Sequence, residues 1–109
     1  MSKSPHKLTS AAVADLFARG QFVKGRVLSA RYLANGLAFS RCAPIVGKKL
    51  GNAVRRNRIK RRLRAAWREV AADLPAGFDF AVLARVEAQT MPFPQLVAAM
   101  KEVLKKINN

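Results

Sequence analysis

The sequence predicts a small α+β sandwich, with helices packed on one mixed sheet. Three observations carry that reading. Apolar residues recur at helical spacing in three separate segments, near 10–19, 53–72 and 93–107. Short β-rich segments lie between them, at 26–33, 41–47 and 78–84. The resulting order, α-β-β-α-β-α in 109 residues, leaves room for one core and not two.

Each element has its own punctuation. Thr9 or Ser10 caps a first helix whose Val13, Leu16 and Phe17 fall at i, i+3 and i+4, and Gly20 ends it. Residues 26–33 alternate in part, with Val27, Ser29 and Arg31 on one face and Leu28, Ala30 and Tyr32 on the other. Asn35-Gly36 signals a turn. A second strand is expected over 41–47, where Pro44 removes one ladder donor. Asn52 is placed to cap a long helix over 53–72, which Leu74-Pro75-Ala76-Gly77 stops. Residues 78–84 read as a short apolar strand. Pro92 and Pro94 lead into a last helix with Phe93, Leu96, Val97, Met100, Val103, Leu104 and Ile107 on one stripe. Residues 1–8 read as a flexible N-terminal segment, and 9–109 as a single α/β domain.

Charge narrows the function. The net charge is +15, and it is unevenly placed. Residues 1–68 hold seventeen Lys and Arg against one acid, Asp15, whereas 69–109 hold four against five acids. The simplest partner for such a surface is a polyanion: nucleic acid first, then an anionic membrane or an acidic protein. No apolar run approaches the ~20 residues that cross a bilayer, and the N-terminus lacks the apolar region of a signal peptide. A lone cysteine, Cys42, forms no internal disulfide, which fits a reducing, cytoplasmic setting.

Most of the charge sits in residues 48–68, KKLGNAVRRNRIKRRLRAAWR, which contain ten Lys and Arg and no acid. On a helical wheel Ala66, Ile59, Val70, Leu63 and Trp67 fall within an arc of about 100°. Lys60, Arg64, Asn57, Arg68, Arg61, Arg58 and Arg62 sweep the opposite side. Arg56 alone lies at the apolar angle, in the first turn, where it can project past the edge of the core. A merely solvated helix face mixes signs, because like pairs at i,i+4 cost a few tenths of a kcal/mol each. Here Arg58–Arg62, Lys60–Arg64 and Arg64–Arg68 are all like pairs. The preference for Arg over Lys suits bidentate phosphate contacts and base stacking. The expected phosphate-binding set is Lys48, Lys49, Arg55, Arg56, Asn57, Arg58, Lys60, Arg61, Arg62, Arg64 and Arg68.

No catalytic constellation is legible. One histidine, His6, and one cysteine cannot make a metal cluster or a nucleophile–base pair. The six acids are scattered, and only folding could bring Asp73 and Asp79 together. Cys42 reads as a small buried apolar residue. Phe17, Phe22, Tyr32 and Trp67 are candidates to stack on unpaired bases. Trp67 belongs to the apolar stripe and reads as core; for Phe17 and Tyr32 core packing and stacking both stay open. A structural RNA-binding protein of ribosomal type fits these features as well. A helix-turn-helix DNA binder lacks the short preceding helix and turn.

Residues 48–64, KKLGNAVRRNRIKRRLR, closely resemble the signature of the bacterial ribonuclease P protein subunit, K-K-x-G-x-A-V-x-R-N-x-I/V-K-R-x-x-R. Its R-N-R core falls on Arg56, Asn57 and Arg58. The resemblance extends from about Leu8 to the end: a first helix closing F-x-x-G at Phe17 to Gly20, two strands before the motif, the strand from Asp79 to Arg85, and an amphipathic last helix. It implies an α/β sandwich with a left-handed β-α-β crossover. It implies a subunit that binds a catalytic RNA, one protein to one RNA, and promotes removal of the 5′ leader from precursor tRNA. Magnesium ions would be held mainly by RNA, not by a protein site. The basic helix would face the catalytic RNA, and a cleft beside the first helix would hold the leader, with Phe17, Arg31 and Tyr32 as the leader-binding residues. Two positions depart from the family pattern. Val13 stands where a second aromatic is common, and Pro44 predicts a bulged or displaced second strand.

Overall fold

The computed structural model describes residues 8–108, and its elements run α-β-β-β-α-β-α. They are α1 (Ser10–Arg19), β1 (Gln21–Val23), β2 (Leu28–Ala34), β3 (Arg41–Ile45), α2 (Ala53–Val70), β4 (Phe78–Ala84) and α3 (Phe93–Lys105). Short 3-10 turns flank α2 at Lys48–Leu50 and Ala71–Asp73, precede α3 at Val86–Gln89 and follow it at Lys106–Asn108. His6 and most of the expected flexible segment lie outside the described residues. Leu8 does not behave as tail: it is buried with Leu16 and Ala81.

The four strands form one sheet in the order β1-β2-β4-β3. β1 and β2 are antiparallel, as are β2 and β4, while β3 runs parallel to β4. The parallel pair forces a crossover, and α2 supplies it. β1 adds a strand to the expected order. Three residues with two exposed side chains carry too little apolar alternation to be read from sequence. β3 keeps unbroken register with β4 through Pro44, opposite Val82, so the expected bulge does not occur. The reason is position: β3 is an edge strand, where a proline nitrogen can face away from the ladder.

Both faces of the sheet are covered. On one, Leu28, Ala30, Phe80 and Val82 meet Ile59, Leu63, Ala66 and Val70 of α2 and Leu96, Met100, Val103 and Leu104 of α3. On the other, α1 lays Leu16 over Ala81, with Val13, Leu33, Ala43 and Ile45 packed around them. Trp67 leans on Phe80 with ring centroids 5.5 Å apart, which makes it core. Truncating any fully buried leucine here would cost about 2–5 kcal/mol.

Candidate nucleic-acid interface

The start of α2 is built by Gly51 and Asn52, after the turn Lys48–Leu50. Gly51 adopts φ 123°, where a Cβ would also lie 2.7 Å from the Arg55 Cδ atom, so only glycine fits. Asn52 follows as N-cap, its side-chain oxygen accepting from the Arg55 N–H at 3.0 Å. Lys48 and Lys49 precede them on an exposed turn, pinned by buried Leu50.

From there the docking stripe fixes which side chains face outward. Ile59, Leu63, Ala66 and Val70 are buried. Lys48, Lys49, Arg55, Asn57, Arg58, Arg61, Arg64 and Arg68 are exposed. Among the described residues the ion pairs are Arg19–Asp15 and Arg41–Asp79, so none of these cations has an acidic partner. A cationic strip this long, unneutralised by the protein, has the charge that attracts phosphates and releases their counterions.

Three members of the expected set are only half-exposed: Arg56, Lys60 and Arg62. Arg56, at the apolar angle, has its Nε buried without a hydrogen-bond partner. Arg62 turns inward. Its guanidinium donates to the carbonyls of Ala88 at 3.5 Å and Gln89 at 2.9 Å, and to that of Met91. The helical wheel put Arg62 on the polar face but could not show that the 86–91 turn lies beneath its tip.

A second candidate surface lies across the sheet, beside α1. Arg31 of β2 projects there, its guanidinium carbon 5.4 Å from the Phe17 ring centroid and 5.3 Å from that of Phe22. Both rings are largely open to solvent, at 43% and 50% exposure, so neither is spent on the core. The Arg31 Nε is buried and unpartnered. Phe17 and Arg31 thus come together as expected, but Tyr32 does not join them. It points to the opposite face, packs edge-on to Phe78 and donates its hydroxyl to Gln21 Oε1 at 2.5 Å. Alternation along β2 already separated Arg31 from Tyr32. Phe22 takes the third place, through β1, where it pairs with Arg31.

The acids offer no competing chemistry. Asp79 accepts two hydrogen bonds from Arg41, at 2.8 and 2.7 Å, and a third from Asn35 at 2.8 Å. The hydrogen bonds from Arg41 raise its own pKa, against the opposing pull of burial. Asp73 is exposed at the end of α2, while Asp79 is buried and already partnered, so the two do not form a pair. Among the described residues no three of His, Cys, Asp and Glu gather as a metal ion would require. Cys42 is packed against the core, and burial pushes its thiol up to about 12, with the Arg64 charge acting the other way.

One mixed sheet thus carries both a basic helix with an unneutralised outer face and an aromatic–arginine surface. The family model described as Ribonuclease P matches residues 3–108. The chain belongs to that family. The ribonuclease P protein component of Caldanaerobacter subterraneus is 33% identical over 84% of this chain and 78% of its own. The solved ribonuclease P protein of Staphylococcus aureus superposes with a TM-score of 0.80, at 29% identity, over 95% of this chain and 96% of that one. The Thermotoga maritima protein gives 0.81 at 28% identity, over 89% and 92%. These ribonuclease P proteins share the mixed sheet and the helices around it with this chain.

Proposed function

We propose that this ribonuclease P protein grips the catalytic RNA with the outer face of α2 and holds the single-stranded 5′ leader of precursor tRNA on the surface beside α1. Family membership makes it a protein component of the tRNA-processing ribonucleoprotein and implies ribonuclease P RNA as its partner. The observation that carries the finer reading is the unpaired cationic strip Arg55, Arg58, Arg61, Arg64 and Arg68, presented by a helix whose other side is fully committed to the core. Neutralising phosphates there lowers the repulsion between two RNAs. The Phe17–Arg31–Phe22 surface supplies rings and charge for unpaired nucleotides.

No three of His, Cys, Asp and Glu gather among the described residues as a metal ion would require. Magnesium held by the RNA supplies the chemistry in this reading, and the protein positions the substrate. Residues 8–108 contain no helix long and apolar enough to cross a membrane, and a 1:1 holoenzyme in the cytoplasm is the working assembly. Reconstitution with a bacterial ribonuclease P RNA at low magnesium tests the whole reading. Precursor cleavage should rise on adding the protein, and no stimulation there would sink the assignment.

A further inference from the structure

The nearly neutral segment 69–109 contains four basic residues: Arg85, Lys101, Lys105 and Lys106. The fold brings all four to one place. Two adjoining cavities, which share Gly25, Arg26 and Lys106, lie between the β1–β2 loop and α3. The larger, about 710 Å³, is lined by apolar Val27, Ala98 and Ala99 together with Lys101 and Lys105. The smaller, about 450 Å³, is lined by Lys24, Gly25, Arg26, Arg85 and Lys106. Among the described residues six cations therefore meet one acid, Glu102, while Glu69, Asp73, Asp79 and Glu87 line neither cavity.

The arrangement is tied together by the backbone. The Lys106 Nζ donates to the Lys24 carbonyl at 3.2 Å, and the Arg85 N–H donates to the Val27 carbonyl at 3.1 Å. All six cationic side chains are exposed, and none forms an ion pair among the described residues. Compensation of the helix dipole accounts for Lys105 and Lys106 at the end of α3. It does not account for Lys24, Arg26 and Arg85, which lie on no helix.

We propose that this groove is a second phosphate-binding surface, separate from α2, that takes the backbone of an RNA strand. The inference rests on the RNA-binding reading above. The excess of positive charge selects a polyanion. Among the described residues no aromatic side chain lines either cavity, so the groove offers no stacking platform and reads the backbone, not the bases. Met91 also lines the larger cavity, and its carbonyl is one of the three that Arg62 holds, so the groove abuts α2.

The test is Arg26→Gln/Arg85→Gln/Lys101→Gln in the full chain, since these side chains make no hydrogen bond or ion pair among the described residues. Binding is titrated over a salt series, first to ribonuclease P RNA and then, as reconstituted holoenzyme, to precursor tRNA. The log–log slope should become shallower by roughly 0.7–0.9 for each phosphate no longer neutralised, roughly 2.1–2.7 for three. A change in the first titration identifies ribonuclease P RNA as the strand, and a change confined to the second identifies the precursor. Arg58→Ala/Arg64→Ala serves as the α2 control. Should the control flatten the slope while the groove variant leaves both titrations at wild type, the groove proposal is overturned and the RNA-binding function stands. If neither variant changes a slope, both fall. The charge-retaining Arg26→Lys/Arg85→Lys should keep the wild-type slope; a drop matching that of the glutamine variant would assign the effect to packing and overturn the proposal.

Discussion

Arg62 of α2 donates to the carbonyl of Met91, 29 residues further along the chain, and that bond separates two kinds of arginine on one helix. Arg62 also reaches the Ala88 and Gln89 carbonyls, so its guanidinium closes the turn before α3. Arg58, four residues earlier, is exposed and forms no ion pair among the described residues. Their truncations should therefore differ in kind. Arg62→Ala should cost about 2 kcal/mol in urea unfolding, because the hydrogen bonds of a charged donor disappear and the carbonyls are left unsatisfied. Arg62→Lys should recover only part, since an ammonium lacks the planar fork. Arg58→Ala should leave stability within about 0.5 kcal/mol yet lower the salt slope of RNA binding by roughly 0.7–0.9. A stable Arg62→Ala with a flattened slope would reverse the two roles.

The pair Arg41–Asp79 gives a second, purely structural expectation. Asp79 is 6% exposed on the central strand β4, and Arg41 satisfies both its oxygens from the neighbouring edge strand. Arg41→Ala would leave a buried carboxylate with Asn35 as its remaining partner. The expected loss is about 3 kcal/mol, the low end for a broken buried pair, because the Arg41 side chain is itself partly exposed. Arg41→Met/Asp79→Asn should lose less than Arg41→Ala alone. If the double variant is the less stable of the two, the pair contributes more than its desolvation costs.

These contrasts also show what the sequence could and could not say. The helical wheel separated the α2 stripe from its basic face, because the 3.6-residue period needs no tertiary information. Alternation along β2 placed Arg31 and Tyr32 on opposite faces, yet grouping them as one leader-binding set ignored that alternation. β1 left no periodic trace in three residues, so the face of Phe22 could not be assigned. The inward turn of Arg62 depends on where the 86–91 segment comes to rest, a tertiary fact. The convergence of Lys24, Arg26 and Arg85 with the end of α3 depends on strand order, and charge counted along the chain made that half look neutral.

Cys42 supplies a prediction in pH. The residue keeps some exposed surface on the edge strand, but it packs against the core, and burial moves its thiol from an ordinary 9.0 to about 12. The fold favours the protonated form, so this stabilisation is full below pH 9 and is lost as pH rises from there toward about 12. At pH 8 iodoacetamide should modify the native protein at least roughly 100-fold more slowly than the urea-unfolded chain, because the thiolate is the nucleophile. Near-equal rates would place the sulfur in water.

The surface beside α1 makes the sharpest functional distinction. Phe17 and Phe22 flank Arg31 and remain open to solvent, whereas Tyr32 is turned to the other face. Val13, where the family resemblance leads one to expect an aromatic, packs beside Leu16. Phe22 then stands as the second ring. Phe17→Ala and Phe22→Ala should each weaken holoenzyme binding of leader-bearing precursor by roughly 5- to 150-fold, the range for one stacked base. Mature tRNA, which has no leader, should bind each variant as it binds wild type. Tyr32→Phe should leave both ligands unaffected and remove only the bond to Gln21. Equal losses for precursor and mature tRNA in the Phe22→Ala holoenzyme would mean that the ring serves the fold and not the leader.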